Sequence, residues 1–269
     1  MTFMISEYIF KNEVDGHLSH QEYLNSPGDA FCKFCCESAD TIEFCKQYFP
    51  SKNNSNQPAR ESLPKIQNLL NAMIALLMGH FETYQKYLFA GCFERSILFE
   101  EFDASIFFKD IGFKKDVNIK SNHLLAYRGD SLSVGILLAD NLTDWHNPVS
   151  VNSYFNAFGL KVQVFTNHEI ELLRNLWQIR HSIVHTAATI TKADAQKKQC
   201  KQLNDYAGKN IVFKASTMFE LKKNLLTLVN GVNKRLEDAF LEKISPDASD
   251  QDKNEFKQFF QCGTSVDLR

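Results

Sequence analysis

The chain has 269 residues, of which 44% are hydrophobic and 23% charged, so it carries enough apolar material for one large core, with or without a small appendage. A net charge of −2 excludes a protein that coats nucleic acid over its whole surface, and any contact with nucleic acid must therefore be local. Twenty-three phenylalanines beside six prolines and eleven glycines favour long helices over a loop-rich scaffold held by disulfides.

The first residues show neither the basic nor the apolar segment of a secretion signal, and no apolar run reaches the roughly 18 residues that a membrane span needs. The longest candidate, residues 73–78, is followed directly by Gly79. Seven cysteines in such a chain are expected to be reduced thiols rather than a disulfide framework. We therefore expect a cytoplasmic protein with no membrane partner.

Residues 1–60 are predicted to form an N-terminal appendage and a linker. A short helix is expected to begin near Ser38 and to run to Phe49, because Pro50 stops it. The following stretch, residues 51–58, is polar and lacks any apolar periodicity, which indicates the linker. The main domain is then expected to begin at residue 61.

A helical domain is predicted over residues 61–243. Ser62 is expected to cap a long core helix, in which apolar residues recur at helical spacing as far as Leu88, with a bend at Gly79. A second helix is expected over residues 93–108, a stretch rich in phenylalanine. Both helices should bury much of the apolar material of the chain.

Short apolar stretches separated by glycines follow at residues 110–160, and this segment is predicted to be an insertion with one helix over 131–142. Thr166 then predicts the start of the next helix, because a threonine side chain caps a helix and Glu169 falls in the first turn. The apolar stripe of that helix is expected to consist of Ile170, Leu173, Trp177, Val184 and Ala187.

The last strong helix is expected after Ser216, because apolar residues alternate at spacings of three and four as far as Phe240. Residues 244–269 are predicted to be a polar tail whose three phenylalanines dock a final turn. The chain as a whole is therefore predicted to be all-α, a helical bundle with an inserted connection and two appendages.

The segment from Arg180 to His185 carries the side chains best suited to chemistry. Arg180 follows Trp177 by three residues and so falls within the apolar stripe. A permanently charged guanidinium at such a partly buried position is expected to pair with an anion such as a carboxylate or a phosphate. Histidine is the side chain best suited to proton transfer near neutral pH, and His185 follows five residues later. The pair therefore indicates chemistry on a phosphate or carboxylate group.

On a regular helix, positions 180 and 185 are separated by about 140° around the axis and by about 7.5 Å along it. One straight helix would not direct both side chains at the same atom. Convergence therefore requires the helix to end near His185, as the β-branched Thr186 indicates, or requires a second copy of the chain to complete the cleft.

The spacing Arg180-x4-His185, followed by a Thr-Ala-Ala run and preceded by a helix rich in Leu and Trp, resembles the Arg-x4-6-His signature of the HEPN superfamily. The upstream stretch 79–88 is similar to the earlier core helix of that family. Glu82 occupies the position of the acidic residue that often faces the motif there. The resemblance covers residues 62–240.

The resemblance implies a HEPN-like helical bundle that dimerises through the motif helices and cuts RNA with no metal or other cofactor. The ribose 2′-hydroxyl would attack the adjacent phosphate and leave a cyclic phosphate, with His185 moving protons and Arg180 offsetting charge on the phosphoryl oxygens. His181 and Glu82 are the predicted supporting residues, and Glu82 would either hold Arg180 or orient an imidazole. A role in phage defence or as a toxin, restrained by an inhibitory protein, is implied as well.

A run of lysines follows the motif helix. If RNA binds at the motif, these side chains are expected to supply nonspecific phosphate contacts, which would make binding strongly dependent on salt. The alternative is a solvated face with no binding role. The lysines predicted to contact RNA are Lys192, Lys197, Lys198 and Lys201.

Three other interpretations stay open on the sequence alone. In the first, Arg180 and Glu82 form a structural ion pair in a catalytically silent HEPN module that binds a nucleotide or a protein. His181 and His185 share a helix face and could bind zinc, although Ser182 stands where the zinc proteases have their glutamate.

The third interpretation is a zinc-stabilised adaptor built on the N-terminal segment, where histidines and cysteines repeat at short spacings. Its ligands would come from His17-x2-His20 and Cys32-x2-Cys35, with Cys36 and Cys45 nearby.

Overall fold

The structure is a computed structural model that describes residues 20–52, 58–111, 133–197 and 201–263. Within these ranges the chain is mainly helical, and it contains no β-strand. The predicted all-α class is therefore confirmed. The helices are α1 (His20–Asn25), α2 (Pro27–Gln47), α3 (Leu63–Arg95), α4 (Ala104–Asp110), α5 (Val134–Asn141), α6 (Pro148–Asn156), α7 (Asn167–His185), α8 (Lys192–Ala195), α9 (Thr217–Leu241) and α10 (Asp250–Phe259), with 3₁₀ turns at Ser96–Leu98 and Lys201–Tyr206.

Helix α3 lies at the centre of the bundle, where it packs against α2, α5 and α7. It runs uninterrupted past Gly79 and continues to Arg95, so the expected second helix over 93–108 does not form as one element. The reason lies at Asp103, whose carboxylate accepts hydrogen bonds from the backbone N–H groups of Ser105 and Ile106 and so starts the separate helix α4.

The phenylalanines supply much of the core. Phe89 of α3 packs edge-on against Phe155, and Phe107 of α4 lies 4.8 Å from Phe158 between ring centroids. Phe240 of α9 joins the same cluster 5.5 Å from Phe158. Offset and edge-on ring contacts of this kind add to the stabilisation that burial already provides.

The segments predicted as appendage and tail contribute to this same core. In α2, Phe31 and Cys35 are fully buried, and in α10 Phe256 and Phe259 are buried as predicted for docking residues. The ring of Phe259 lies over Gly91 of α3 so closely that a Cβ atom at that position would be 2.2 Å from it. Only glycine permits that approach.

A buried hydrogen-bond chain ties three helices together. The hydroxyl of Tyr84 in α3 donates to the side-chain carbonyl of Asn233 in α9 over 2.7 Å, and the Asn233 amide donates to the Phe260 carbonyl after α10. Buried polar groups need such partners, because an unpaired one is costly away from water. The C-terminal segment is thereby fixed to the centre of the bundle.

The start of α7 is fixed by several polar contacts, as Thr166 and Glu169 predicted. Thr166 and Glu169 form a reciprocal capping box. Just before the cap, Asn152 of α6 pairs with both backbone groups of Phe165. The Glu169 carboxylate also accepts a hydrogen bond from Arg235 of α9 over 2.7 Å. The first turn of helix α7 is therefore held firmly against α6 and α9.

None of the helices in the described ranges combines the length and the apolar character needed to cross a membrane.

Candidate functional site

Helix α7 ends at His185, close to where one of the two expected routes to a converging site placed a helix end. Thr186 closes the helix, and its hydroxyl donates to the Ser182 carbonyl. Ala187 and Ala188 then follow with φ angles of 49° and 59°, a left-handed backbone that residues other than glycine rarely adopt. The chain next pairs with the segment 208–211, where Ile211 donates its N–H to the Ala188 carbonyl. The motif therefore stands at a sharply turned, well-held helix end.

The motif residues share one surface arc of α7, which we call the motif face and define by Arg180, His181, Val184 and His185. His181, Val184 and His185 are exposed, and Arg180 is half-buried at one edge of the arc. From Arg180 to His185 the arc spans about 140°, because the helix stays regular to its last residue. Within one chain, the arginine and the terminal histidine therefore lie at opposite edges of the motif face.

Arg180 was expected to be partly buried beside an anion. Its Nε atom is buried and has no hydrogen-bond partner in the part of the chain that the structure describes. Trp177, one turn earlier on α7, is 7% exposed, and its indole N–H is likewise buried without a partner. Among the described residues, two donors on neighbouring turns thus lack acceptors, and a buried donor without an acceptor is energetically unfavourable.

His181 and His185 form a pair of adjacent imidazoles whose ring centroids are 4.9 Å apart. Behind them, Lys197 donates to Asp194, which holds the pKa of that carboxyl below its usual value, and His181 contributes to the same effect. Lys197 also donates to Gln178 of α7 over 2.9 Å. The segment after the motif is therefore fastened to the motif helix by a polar network.

Glu82 contacts an imidazole, one of the two roles expected for it, but the imidazole is that of His146. Glu82 Oε2 lies 2.8 Å from His146 Nε2, and Glu82 Oε1 lies 2.9 Å from Lys86 Nζ. Hydrogen bonds from His146 and Lys86 lower the pKa of Glu82 to about 2, so the group is a carboxylate at neutral pH. No contact joins Glu82 to Arg180 among the described residues.

His146 connects Glu82 to the motif helix. Its ring lies edge-on against Trp177, with 4.4 Å between centroids, and its side chain is 51% exposed. No local sequence pattern predicts this contact, because Glu82 and His146 are 64 residues apart. The nearest local signal was Asn147-Pro148, a helix start that places His146 just ahead of α6.

The predicted RNA-binding lysines have different surroundings. Lys192 is exposed at the start of α8, whereas Lys197 is engaged by Asp194 and Gln178. Lys198 and the side chain of Lys201 lie outside the described residues. Lys192 is thus the predicted lysine whose side chain is seen to face solvent without a partner in the described ranges.

The cysteines of the zinc alternative are free thiols. Cys32, Cys35 and Cys36 are buried, and the described residues contain no cluster of three histidine, cysteine or acidic side chains suited to a metal ion. His17 and the side chain of His20, the other expected ligands, lie outside the described residues.

A cavity of about 500 Å³ lies at the opposite end of α7, against α9 and the 3₁₀ turn at Lys201–Tyr206. Its position was not anticipated from the sequence. About eight residues, or roughly 12 Å of helix, separate this end of α7 from Arg180. The lining residues are His168, Glu169, Glu171, Leu172, Gln202, Lys223, Asn224, Thr227 and Leu228.

Comparisons of the chain with family models, with curated proteins and with solved structures found no match in any of the three.

Proposed function

We propose that the protein is a metal-independent endoribonuclease of the HEPN type that cleaves RNA by attack of a ribose 2′-hydroxyl on the adjacent phosphate. The observation that carries the proposal is the motif face, where a half-buried guanidinium with a buried, unpartnered Nε atom borders an exposed histidine at a helix end. Products would be a 2′,3′-cyclic phosphate and a 5′-hydroxyl. The natural setting that we propose is defence against phage, or growth arrest by a toxin with an inhibitory protein partner, in the cytoplasm.

Arg180 is assigned to the phosphate. Arg180 forms no hydrogen bond or ion pair among the described residues, so the accessible N–H groups of its fork can bind a phosphate oxygen, and a charge-assisted hydrogen bond is about twice as strong as a neutral one. As the 2′-oxygen attacks, negative charge grows on the phosphoryl oxygens. A fixed cation at that point lowers the barrier, because its interaction strengthens in the transition state.

His185 is assigned to proton transfer, with His181 in support. Both rings are exposed on the motif face and adjacent, so a substrate has access to them. Asp194, whose pKa is lowered chiefly by Lys197 and to a smaller extent by His181, adds a negative charge near the pair. Lys192 would add a nonspecific contact to the RNA backbone.

A second copy of the chain completes the cleft in this proposal. Arg180 and His185 of one copy are about 140° apart on α7, so one chain does not direct both at a single phosphate. Val184, 49% exposed between them, offers apolar surface for contact between two motif faces. A two-fold pairing of the α7 helices would bring the Arg180 of one copy toward the His185 of the other.

The test is cleavage of a mixed-sequence RNA in the presence of EDTA. We expect cyclic-phosphate ends from the wild-type protein and at least about a 100-fold loss of rate in His185→Ala and in Arg180→Ala. His168→Ala is the matched control, because His168 is an exposed histidine in the first turn of the same helix. Full activity in His185→Ala would exclude the proposed chemistry, and loss of wild-type cleavage in EDTA would exclude its metal independence. A purely monomeric protein in sedimentation at high concentration would exclude the shared cleft.

The cavity at the start of α7 favours a second candidate function, the binding of a nucleotide without catalysis. Its volume of about 500 Å³ suits a ligand of that size, and Leu172 and Leu228 could contact a base while Lys223 faces a phosphate. If calorimetric titration detects binding of nucleoside monophosphates by a preparation that does not cut RNA, this alternative is supported. If Lys223→Ala binds the nucleotide as tightly as the wild-type protein, Lys223 does not contact the phosphate.

A further inference from the structure

His146 lies on the same side of helix α7 as Arg180. Its ring contacts Trp177, and Trp177 precedes Arg180 by three residues, which corresponds to about 60° around the helix and about 4.5 Å along it. His185, by comparison, is about 140° and about 7.5 Å from the arginine. Of the two histidines, His146 is therefore packed on the α7 position nearer to the guanidinium.

The imidazole of His146 is held in one orientation. Glu82 lies 2.8 Å from its Nε2 atom, and Lys86 in turn fixes Glu82 at 2.9 Å. With Nε2–H donating to the carboxylate, the Nδ1 lone pair is left to accept a proton. A carboxylate that fixes the tautomer of a half-exposed imidazole is the arrangement by which many enzymes prepare a general base.

The other histidines whose side chains are described lack this arrangement. His80 accepts or donates a hydrogen bond with Tyr23 and is stacked on Phe34 at 3.6 Å, so it is occupied within the bundle. His168, His181 and His185 have no carboxylate in hydrogen-bond contact in the described ranges. His146 is therefore set apart from them by both its partner and its position.

We propose that His146 is the general base of the reaction at Arg180, with Glu82 as its positioning residue; this inference rests on the ribonuclease function proposed above. His146 Nδ1 takes the proton of the 2′-hydroxyl as the 2′-oxygen forms its bond to phosphorus. The bond between phosphorus and the 5′-oxygen breaks, and the leaving oxygen takes a proton from the imidazolium of His185. One proton is taken and one is given, so the cycle closes when the two histidines exchange protons with water.

The two histidines act from different copies of the chain. In the proposed antiparallel two-fold pairing, the last turn of α7 in one copy lies against the turn of the other copy that carries Trp177 and Arg180. His146 packs against Trp177, so the His185 of the second copy would stand beside it, across a phosphate held by Arg180. Base and acid would then lie on opposite sides of the same phosphodiester bond.

The first test is the rate of RNA cleavage by His146→Gln and His146→Ala. We expect a loss of about 100-fold or more in both, and partial recovery of His146→Ala on addition of free imidazole, which replaces the missing base. Recovery also shows that the variant is folded. Glu82→Gln should lower the rate in the wild-type background and have little further effect in His146→Ala, because the two act as a unit.

The second test mixes two inactive variants, His146→Gln and His185→Ala, after dissociation and reassociation. Half of the dimers in an equal mixture are mixed, and each has one cleft with both histidines intact, so about a quarter of the wild-type activity should return. No recovery on mixing would overturn the assignment of base and acid to different copies.

The outcomes separate this inference from the function beneath it. If the wild-type protein does not cleave RNA, the proposed ribonuclease function is wrong. If the wild-type protein cleaves RNA, His185→Ala is inactive and both His146 variants are fully active, His146 is not the general base, but the ribonuclease function stands.

Discussion

The contacts of Glu82 with His146 and Lys86 should make the free energy of unfolding depend on pH over a defined acidic range. The folded structure lowers the pKa of Glu82 from 4.5 to about 2, chiefly through the hydrogen bond from His146. A group with a lowered folded-state pKa stabilises the fold fully above its unfolded value, and that stabilisation is lost as the pH falls toward the folded value. The window for Glu82 therefore runs from about pH 4.5 down to about pH 2.

The magnitude follows from the same pKa values. A carboxyl pKa lowered from 4.5 to about 2 corresponds to at most about 3.4 kcal/mol. Glu82 is 22% exposed, but its partners Lys86 and His146 are 29% and 51% exposed, so solvent screens the pair. We therefore expect about 1–2 kcal/mol from these contacts.

The assay compares urea unfolding of the wild-type protein and Glu82→Gln from pH 7 to pH 3. The variant should be less stable by about 1–2 kcal/mol at pH 7, and the difference should shrink below about pH 4.5. Glu101→Gln is the control, because Glu101 is exposed and has no ion pair or hydrogen bond among the described residues. A difference that stays constant across the whole pH range would refute the ionic explanation, since it would point to lost packing instead.

Three further changes test the fold around the site. Tyr84→Phe removes the buried hydrogen bond to Asn233 and should lower the unfolding free energy by about 1–3 kcal/mol in denaturant titration, with no loss expected if that bond is unimportant. Phe89→Ala opens the phenylalanine cluster and should cost about 3–5 kcal/mol; less than 1 kcal/mol would show that the cluster is loosely packed. Ala187→Gly relieves a left-handed backbone and should raise the melting temperature, corresponding to about 0.5–1 kcal/mol, whereas Ala193→Gly inside α8 should lower it.

Much of the fold was predictable because the signals were local. Helical spacing of apolar residues located α3 and α9, and Thr166 with Glu169 located the start of α7 within one residue. These features depend on neighbours three or four positions away, so a single sequence contains them. The β-branched residues from Thr186 onward likewise indicated a helix end near His185, as one of two alternatives.

Other features of the fold depended on distant contacts. The segment 93–108 reads as one helix, but an Asp103 cap divides it. The segments expected as appendage and tail join the core because α2 and α10 find apolar partners on α3 and α9. The spacing of apolar residues within α2 and α10 does not predict which helices they pack against.

By itself, the sequence determined the helical class, the position of the Arg180 to His185 segment and the half-buried place of its arginine, since each follows from side-chain order along one helix. Only the tertiary structure decided that Glu82 meets His146 rather than Arg180, and that His146 contacts the motif helix through Trp177. The physical reason is that these contacts join α3, the turn before α6 and α7, and they form only when the core draws those three segments together.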